Sequence, residues 1–171
     1  MTAQTFKIIN KYQGVASRQV IHAVETAAAR TGADFSFLME KASTESGFNS
    51  AAKAKSSTAT GLFQFIDSTW LHMVKEFGPK YGLGKFADQI QDRDGKLCVD
   101  DCQTKSAILD LRKNPEIAAL MAGEFSTGNK QYLTEHTNAP VGRTELYLAH
   151  FLGAHGAADF LNNRENNGLT V

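Results

Sequence analysis

Glu45 is the residue in this chain best placed to move a proton. Leu38, Ala42 and Glu45 recur at i, i+4 and i+7 of a helix-patterned stretch, so the carboxyl shares a helix face with apolar side chains. A carboxyl on the buried side of a helix end is costly unless it is paired, hydrogen-bonded or kept protonated, and the protonated form is the state of a general acid. Taken alone, a glutamate on such a face is as a rule partly exposed or paired. The residues C-terminal to it supply the other reading. Gly47 stops the helix, and residues 49–60 carry Asn49, three serines and two threonines, a composition that suits an ordered loop or short hairpin. The run Gly61-Leu62-Phe63-Gln64-Phe65 comes next, and Gln64 offers both a donor and an acceptor to a polar ligand. Between Ser46 and Ile66 there is no second carboxylate, which favours chemistry in which one residue acts as acid and then as base.

The elements that must position these groups are helical. Residues 17–31 set Val20, Ile21, Val24, Ala27 and Ala28 at helical spacing, with Gly32 as the stop. Asp34 caps the helix that ends at Gly47, and Asp67 is read as the cap of a third helix bearing Trp70, Met73, Val74 and Phe77 and halted by Gly78-Pro79. Residues 78–101, rich in glycine and aspartate, read as an excursion from the core. Asn114-Pro115 is a cap with a first-turn proline ahead of the apolar run Ile117 to Phe125. Residues 144–161 read as two buried helical pieces hinged near Gly153 or Gly156. The whole chain is expected to form one domain, 1–171, with an N-terminal extension over 1–15 and a polar tail over 163–171.

Composition narrows the classes. At 171 residues, 42% hydrophobic and 21% charged, the chain has the make-up of a single globular domain. Its 18 basic and 18 acidic side chains cancel, so it lacks the overall basic field that grips nucleic acid. No stretch is long and apolar enough to span a membrane, and the opening MTAQTFKIINKYQGV has Lys7 and Lys11 where a signal peptide needs an apolar core. Cys98 and Cys102, without nearby histidines, do not make a zinc site; they could close a small disulfide loop only if the segment is not helical. The acidic loop around Asp92-Arg93-Asp94-Gly95 fails as an EF-hand because Ile90 falls where the first ligand belongs, leaving a solvated turn. No metal or cofactor is expected.

Glu45-Ser46-Gly47-Phe48, the small-residue loop, and Gly61-Leu62-Phe63-Gln64 before Ser68-Thr69-Trp70 together resemble the lysozyme-like lytic transglycosylases of the soluble-lytic-transglycosylase type. The likeness is specific from about residue 38 to 77. Leu148-Ala149-His150-Phe151-Leu152-Gly153 lies where the family has an alanine-tyrosine-asparagine-alanine-glycine helix, so His150 and Phe151 stand in place of tyrosine and asparagine, and Tyr147 is one turn away to substitute for the lost hydroxyl. A plain core helix is the other reading of that segment.

The resemblance implies a mainly α, lysozyme-like fold with a small loop or hairpin lobe around 49–66 lining a glycan groove. It implies cleavage of the β-1,4 bond between N-acetylmuramic acid and N-acetylglucosamine in peptidoglycan, with Glu45 protonating the leaving oxygen and then accepting the proton of the C6 hydroxyl whose attack on C1 closes a 1,6-anhydro ring. Ser46 and Ser57 would hydrogen-bond near the acid or be loop residues, Gln64 would meet N-acetyl and hydroxyl groups, and Phe63 and Phe65 would floor the sugar, one of them doubling as core. Tyr147 and His150 complete the substrate-binding set. Asp67, Glu124 and Glu145 are the candidates for a second carboxylate, which would make the enzyme a hydrolytic muramidase. A glycan-binding or assembly protein without turnover is the rival of another class. The expected partner is the glycan strand, with a cell-envelope-spanning machine such as a flagellum or secretion system as a second candidate, and the expected place of action is the periplasm or cell wall.

Overall fold

A computed structural model describes residues 3–138 and 140–166. The order of elements is α1 (Ala3–Tyr12), α2 (Arg18–Thr31), α3 (Phe35–Ser46), α4 (Asp67–Phe77), α5 (Gly84–Ala87), β1 (Gln91–Arg93), β2 (Lys96–Cys98), α6 (Cys102–Asp110), α7 (Pro115–His136) and α8 (Arg143–Asn166), with 3-10 turns at Gly78–Tyr81 and Leu111–Lys113. The fold is mainly α with one small antiparallel sheet. Caps visible in the sequence set several boundaries. The Ser17 hydroxyl accepts from the Val20 amide at 3.2 Å and the Asp34 carboxylate from the Phe37 amide at 2.6 Å, while Asn114 accepts from the amides of Glu116 and Ile117. Gly32 and Gly47, both left-handed, close α2 and α3.

The chain divides into two compact units, one running to Glu124 and one from Phe125 onward. In the first, α2 packs on α3, α1 touches α3, and α4 contacts α5, β2 and α6. Val20, Ile21 and Val24 of α2, Phe37, Leu38, Met39 and Ala42 of α3, and Trp70, Met73 and Val74 of α4 are buried, as the helical periodicity predicts. The Trp70 indole N–H is buried too, and donates to the Ile108 carbonyl at 2.7 Å, tying α4 to α6. In the second unit Leu133 of α7 meets Ala149, Ala157, Ala158 and Leu161 of α8, with Tyr132, Val141 and Leu148 packed around them. The hinge in α8 is at Gly153, whose φ of 73° and ψ of 161° break the helix.

Several local expectations change. The 49–66 segment is the loop of its two expected forms, with isolated bridges pairing Lys53 with Thr60 and Thr60 with Phe65, whereas 91–98, expected as a solvated turn, is a regular hairpin. The reason is turn chemistry: Asp94 and Gly95 both take positive φ, 54° and 79°, the conformation whose twist matches a two-residue hairpin. The Gly95 amide donates to the Asp92 carboxylate at 2.8 Å, so this acid serves the turn. Asp67 is not a cap. Ile66 holds the cap position without a side-chain bond, and the Asp67 carboxylate pairs with Arg112 instead. Cys98 ends β2, Cys102 opens α6, and both are free thiols. Residues 163–166 continue α8 and 3–12 form α1, while positions 1–2 and 167–171 of the expected extension and tail lie outside the described residues. Among the described residues no helix is long and apolar enough to cross a membrane.

Candidate active site

Glu45 stands in the last turn of α3, half-buried. The chain leaves that turn abruptly. Gly47 takes φ 57° and donates its N–H to the Ser43 carbonyl at 2.9 Å, and Phe48, also left-handed at φ 67°, donates to the Ala42 carbonyl at 3.2 Å. A left-handed phenylalanine costs on the order of 1–3 kcal/mol. Its ring, edge-on to Tyr12 of α1 at 5.2 Å, supplies the packing that offsets the cost. The Ser46 hydroxyl lies 2.8 Å from the Leu62 carbonyl and 3.1 Å from that of Ala42, so it fastens the glutamate's helix end to the Gly61–Gln64 element.

That element is a tight, self-bonded loop. The Gly61 amide donates to the Ala52 carbonyl at 2.8 Å, and the Gln64 amide to the Gly61 carbonyl at 3.2 Å. Gln64 has φ 51°, and its side-chain NH₂ donates to the Gly61 and Ala52 carbonyls at 2.8 and 3.2 Å. The donor end of Gln64 is therefore used inside the loop. The side-chain oxygen is its acceptor end. Phe63 and Phe65, 1% and 6% exposed, are both core residues, and Phe65 leans on Trp70 at 5.4 Å. Ser57 is exposed; its hydroxyl accepts from the Ala59 amide at 3.2 Å and borders a cavity of about 440 Å³ with Lys53, Thr60 and Arg112.

One group the motif reading passed over is Lys41, 3% exposed and one helical turn before Glu45. Burial pushes its ammonium down to about 8, against the attraction of the Glu45 carboxylate, which pulls it up. The i, i+4 spacing was the available signal. The unfolded chain holds the lysine proton up to its ordinary 10.5, so the cost of charging Lys41 in the fold is fully present below about pH 8 and disappears as pH rises toward 10.5. Lys41→Met is expected to flatten the rise in stability between about pH 8 and 10, because the group that loses its proton in the fold ahead of the unfolded chain there is removed. Urea unfolding at about pH 7 and 9.5 checks this, and a variant whose stability still rises between those values as the parent's does would contradict the assignment.

The candidate second carboxylates all have partners within their own units. Asp67 accepts from Arg112 at 2.8 Å. Glu124, 7% exposed, is held by Lys80 at 2.5 Å and by the Tyr81 hydroxyl. Burial, followed by the Glu124 hydrogen bond, raises the Tyr81 phenol, while that same carboxylate's bond to Lys80 raises the ammonium. Glu145 accepts from the Gly142 amide at 2.8 Å ahead of α8. Tyr147 and His150 are half-buried on the first half of α8 in the second unit, the His150 ring edge-on to exposed Phe151 at 5.3 Å.

Residues 22–92 match the family model described as Transglycosylase SLT domain. The matched stretch takes in all of α3, α4 and the loop between them, and so contains Glu45, Ser46 and Gln64. Over these residues the chain is similar to lysozyme-like lytic transglycosylases, and its mainly α fold with a small sheet agrees with that family. The match supports peptidoglycan-lytic activity of the transglycosylase type in general.

Proposed function

We propose that the chain is a peptidoglycan lytic transglycosylase in which Glu45 acts first as general acid and then as base on the bond between N-acetylmuramic acid and N-acetylglucosamine. The observation that carries this reading is the Ser46 to Leu62 hydrogen bond, which fastens the turn bearing Glu45 to the Gly61–Gln64 element inside the matched segment. In the first half, the Glu45 carboxyl gives its proton to the glycosidic oxygen as the C1–O bond breaks, since an alkoxide leaves poorly and C1 takes oxocarbenium character. In the second, the muramic acid's own C6 oxygen bonds to C1 and its proton passes to the Glu45 carboxylate, which restores the acid. An internal nucleophile needs no bound water and no second carboxylate. Asp67 and Glu124, each already engaged by a cation, fit this single-carboxylate scheme better than hydrolysis.

The Gln64 side-chain oxygen would accept from an N-acetyl N–H or a sugar hydroxyl. Ser57 would offer its hydroxyl from the loop. Buried Phe63 and Phe65 would support that loop from beneath. Tyr147 and His150 are proposed as sugar-contacting groups carried by α8. The site of action would be the periplasm or wall, where the glycan is, with an envelope-spanning machine as a candidate partner.

The test is mass spectrometry of muropeptides released from purified peptidoglycan. Anhydro ends support the proposal. Reducing ends would assign the protein to the hydrolytic muramidases, and binding without release would make it a glycan-binding protein.

A further inference from the structure

Arg112 lies outside the matched segment, in the 3-10 turn Leu111–Lys113, and is 6% exposed. Its Nη1 donates to the Thr58 carbonyl at 2.9 Å and the Phe65 carbonyl at 2.9 Å, and pairs with the Asp67 carboxylate at 2.8 Å; its Nε donates to the Leu109 carbonyl at 2.9 Å. Thr58 and Phe65 bracket the Gly61–Gln64 element on both sides in sequence. The backbone of Arg112 meets the same loop: a Cβ added at Gly61 would lie 2.1 Å from the Arg112 carbonyl oxygen.

We propose that Arg112 is a positioning residue for the proposed reaction, its buried guanidinium holding the loop of residues 58–67 at the height where Gln64 and the Ser46-anchored turn face a bound sugar. This rests on the reading of Glu45 and that loop as the active site. Thr58 and Phe65 are seven residues apart along an irregular segment; the Thr60 amide donates to the Phe65 carbonyl at 3.2 Å and the Thr60 hydroxyl to the Thr58 carbonyl at 3.1 Å, and Arg112 adds a side chain that ties both carbonyls to an element outside the loop. A guanidinium supplies several donors in a rigid plane and stays charged at every relevant pH. The two carbonyls and the carboxylate all meet the one Nη1, whose direction is fixed through the rigid guanidinium by the Nε bond to the Leu109 carbonyl; an ammonium on a shorter reach has no second nitrogen to anchor it in this way. The left-handed Gln64 depends on this frame, because its NH₂ bonds to Gly61 and Ala52 are made only when the loop is folded back on itself.

Arg112→Lys tests the idea with two readouts on the full chain. Hydrogen exchange is expected to quicken at the amides of Ala54, Thr60, Gly61 and Gln64, which bond within the loop, and to stay unchanged at Leu38 in α3. On peptidoglycan, kcat is expected to fall by about 10- to 100-fold with KM nearly constant, the signature of misplaced groups. Parent-like exchange in the loop would overturn the proposal, and so would a loosened loop with parent-like kcat. Should Arg112→Lys fail to fold, Asp67→Asn, which leaves the two carbonyl bonds and removes only the countercharge, must loosen the same amides by a smaller factor, and no loosening overturns the proposal. If the parent cleaves no peptidoglycan, the functional reading fails by itself, and the exchange data alone decide whether Arg112 fixes the loop.

Discussion

Glu45→Gln should lower the rate of anhydro-muropeptide release by about 1,000-fold or more, because the amide keeps the size of the side chain and removes the group that gives one proton and takes the other. Both halves of the reaction suffer. The amide cannot protonate the leaving oxygen, and it is too weak a base to take the C6 proton. The fold should survive, since Glu45 is half-buried at a helix end while α3 is anchored by Phe37, Leu38, Met39 and Ala42 in the core. Some stability should be lost at neutral pH in the ionised form of Glu45, the form that follows proton transfer, because buried Lys41 is charged there and loses an opposite charge one turn away. Above about 8 Lys41 in the fold discharges, so the difference between parent and variant should shrink as pH rises from 7 to 10. Initial rates of product formation and urea unfolding at several pH values measure the two effects. Cleavage within about tenfold of the parent would remove Glu45 from the mechanism.

Gly61→Ala should be the most damaging small substitution in the first unit. At φ 86° an alanine is strained whatever the space around it, and here the added methyl would overlap the Arg112 backbone at 2.1 Å. Backbone does not rotate out of the way as a side-chain tip does. The loop must lift from the 3-10 turn, which lengthens the Arg112 bonds to Thr58 and Phe65 and the Gly61 to Ala52 bond together. A loss of about 3 kcal/mol or more is expected from strain and overpacking combined. Gly32→Ala serves as the control, having a similar φ of 77° and nothing within 4 Å of the added carbon. It should cost about 1 kcal/mol, the conformational part alone. Equal losses in the two variants, by denaturant unfolding, would show that Arg112 does not constrain the loop.

Much of this molecule is local chemistry and could be read along the chain. Ser17, Asp34 and Asn114 cap their helices with their own side chains, Gly32 and Gly47 stop them, and the α8 break falls at Gly153, because caps and breaks depend on residues within a few positions of one another. The pairing of Glu45-Ser46 with Gly61–Gln64 was legible for a similar reason: the family resemblance is a pattern of residue types at fixed spacing. The hairpin at 91–98 is also written in the sequence, through Asp94-Gly95, although the acidic residues around that pair suit a solvated turn equally well.

Sequence by itself determined the boundaries of α2 and α3 and the start of α7, the apolar faces of α2, α3 and α4, and the place of the carboxyl at a helix end. Tertiary structure alone decided which polar atoms meet. Arg112 reaches Thr58 across 54 positions and Lys80 reaches Glu124 across 44, and nothing in the spacing of either pair announces it. The same holds for Asp67, whose type and place suit a cap, and which is drawn instead to a buried guanidinium that needs a countercharge. Propensity acts between neighbours and can be read in order, whereas the desolvation of a charge depends on everything packed around it and exists only once the chain has folded.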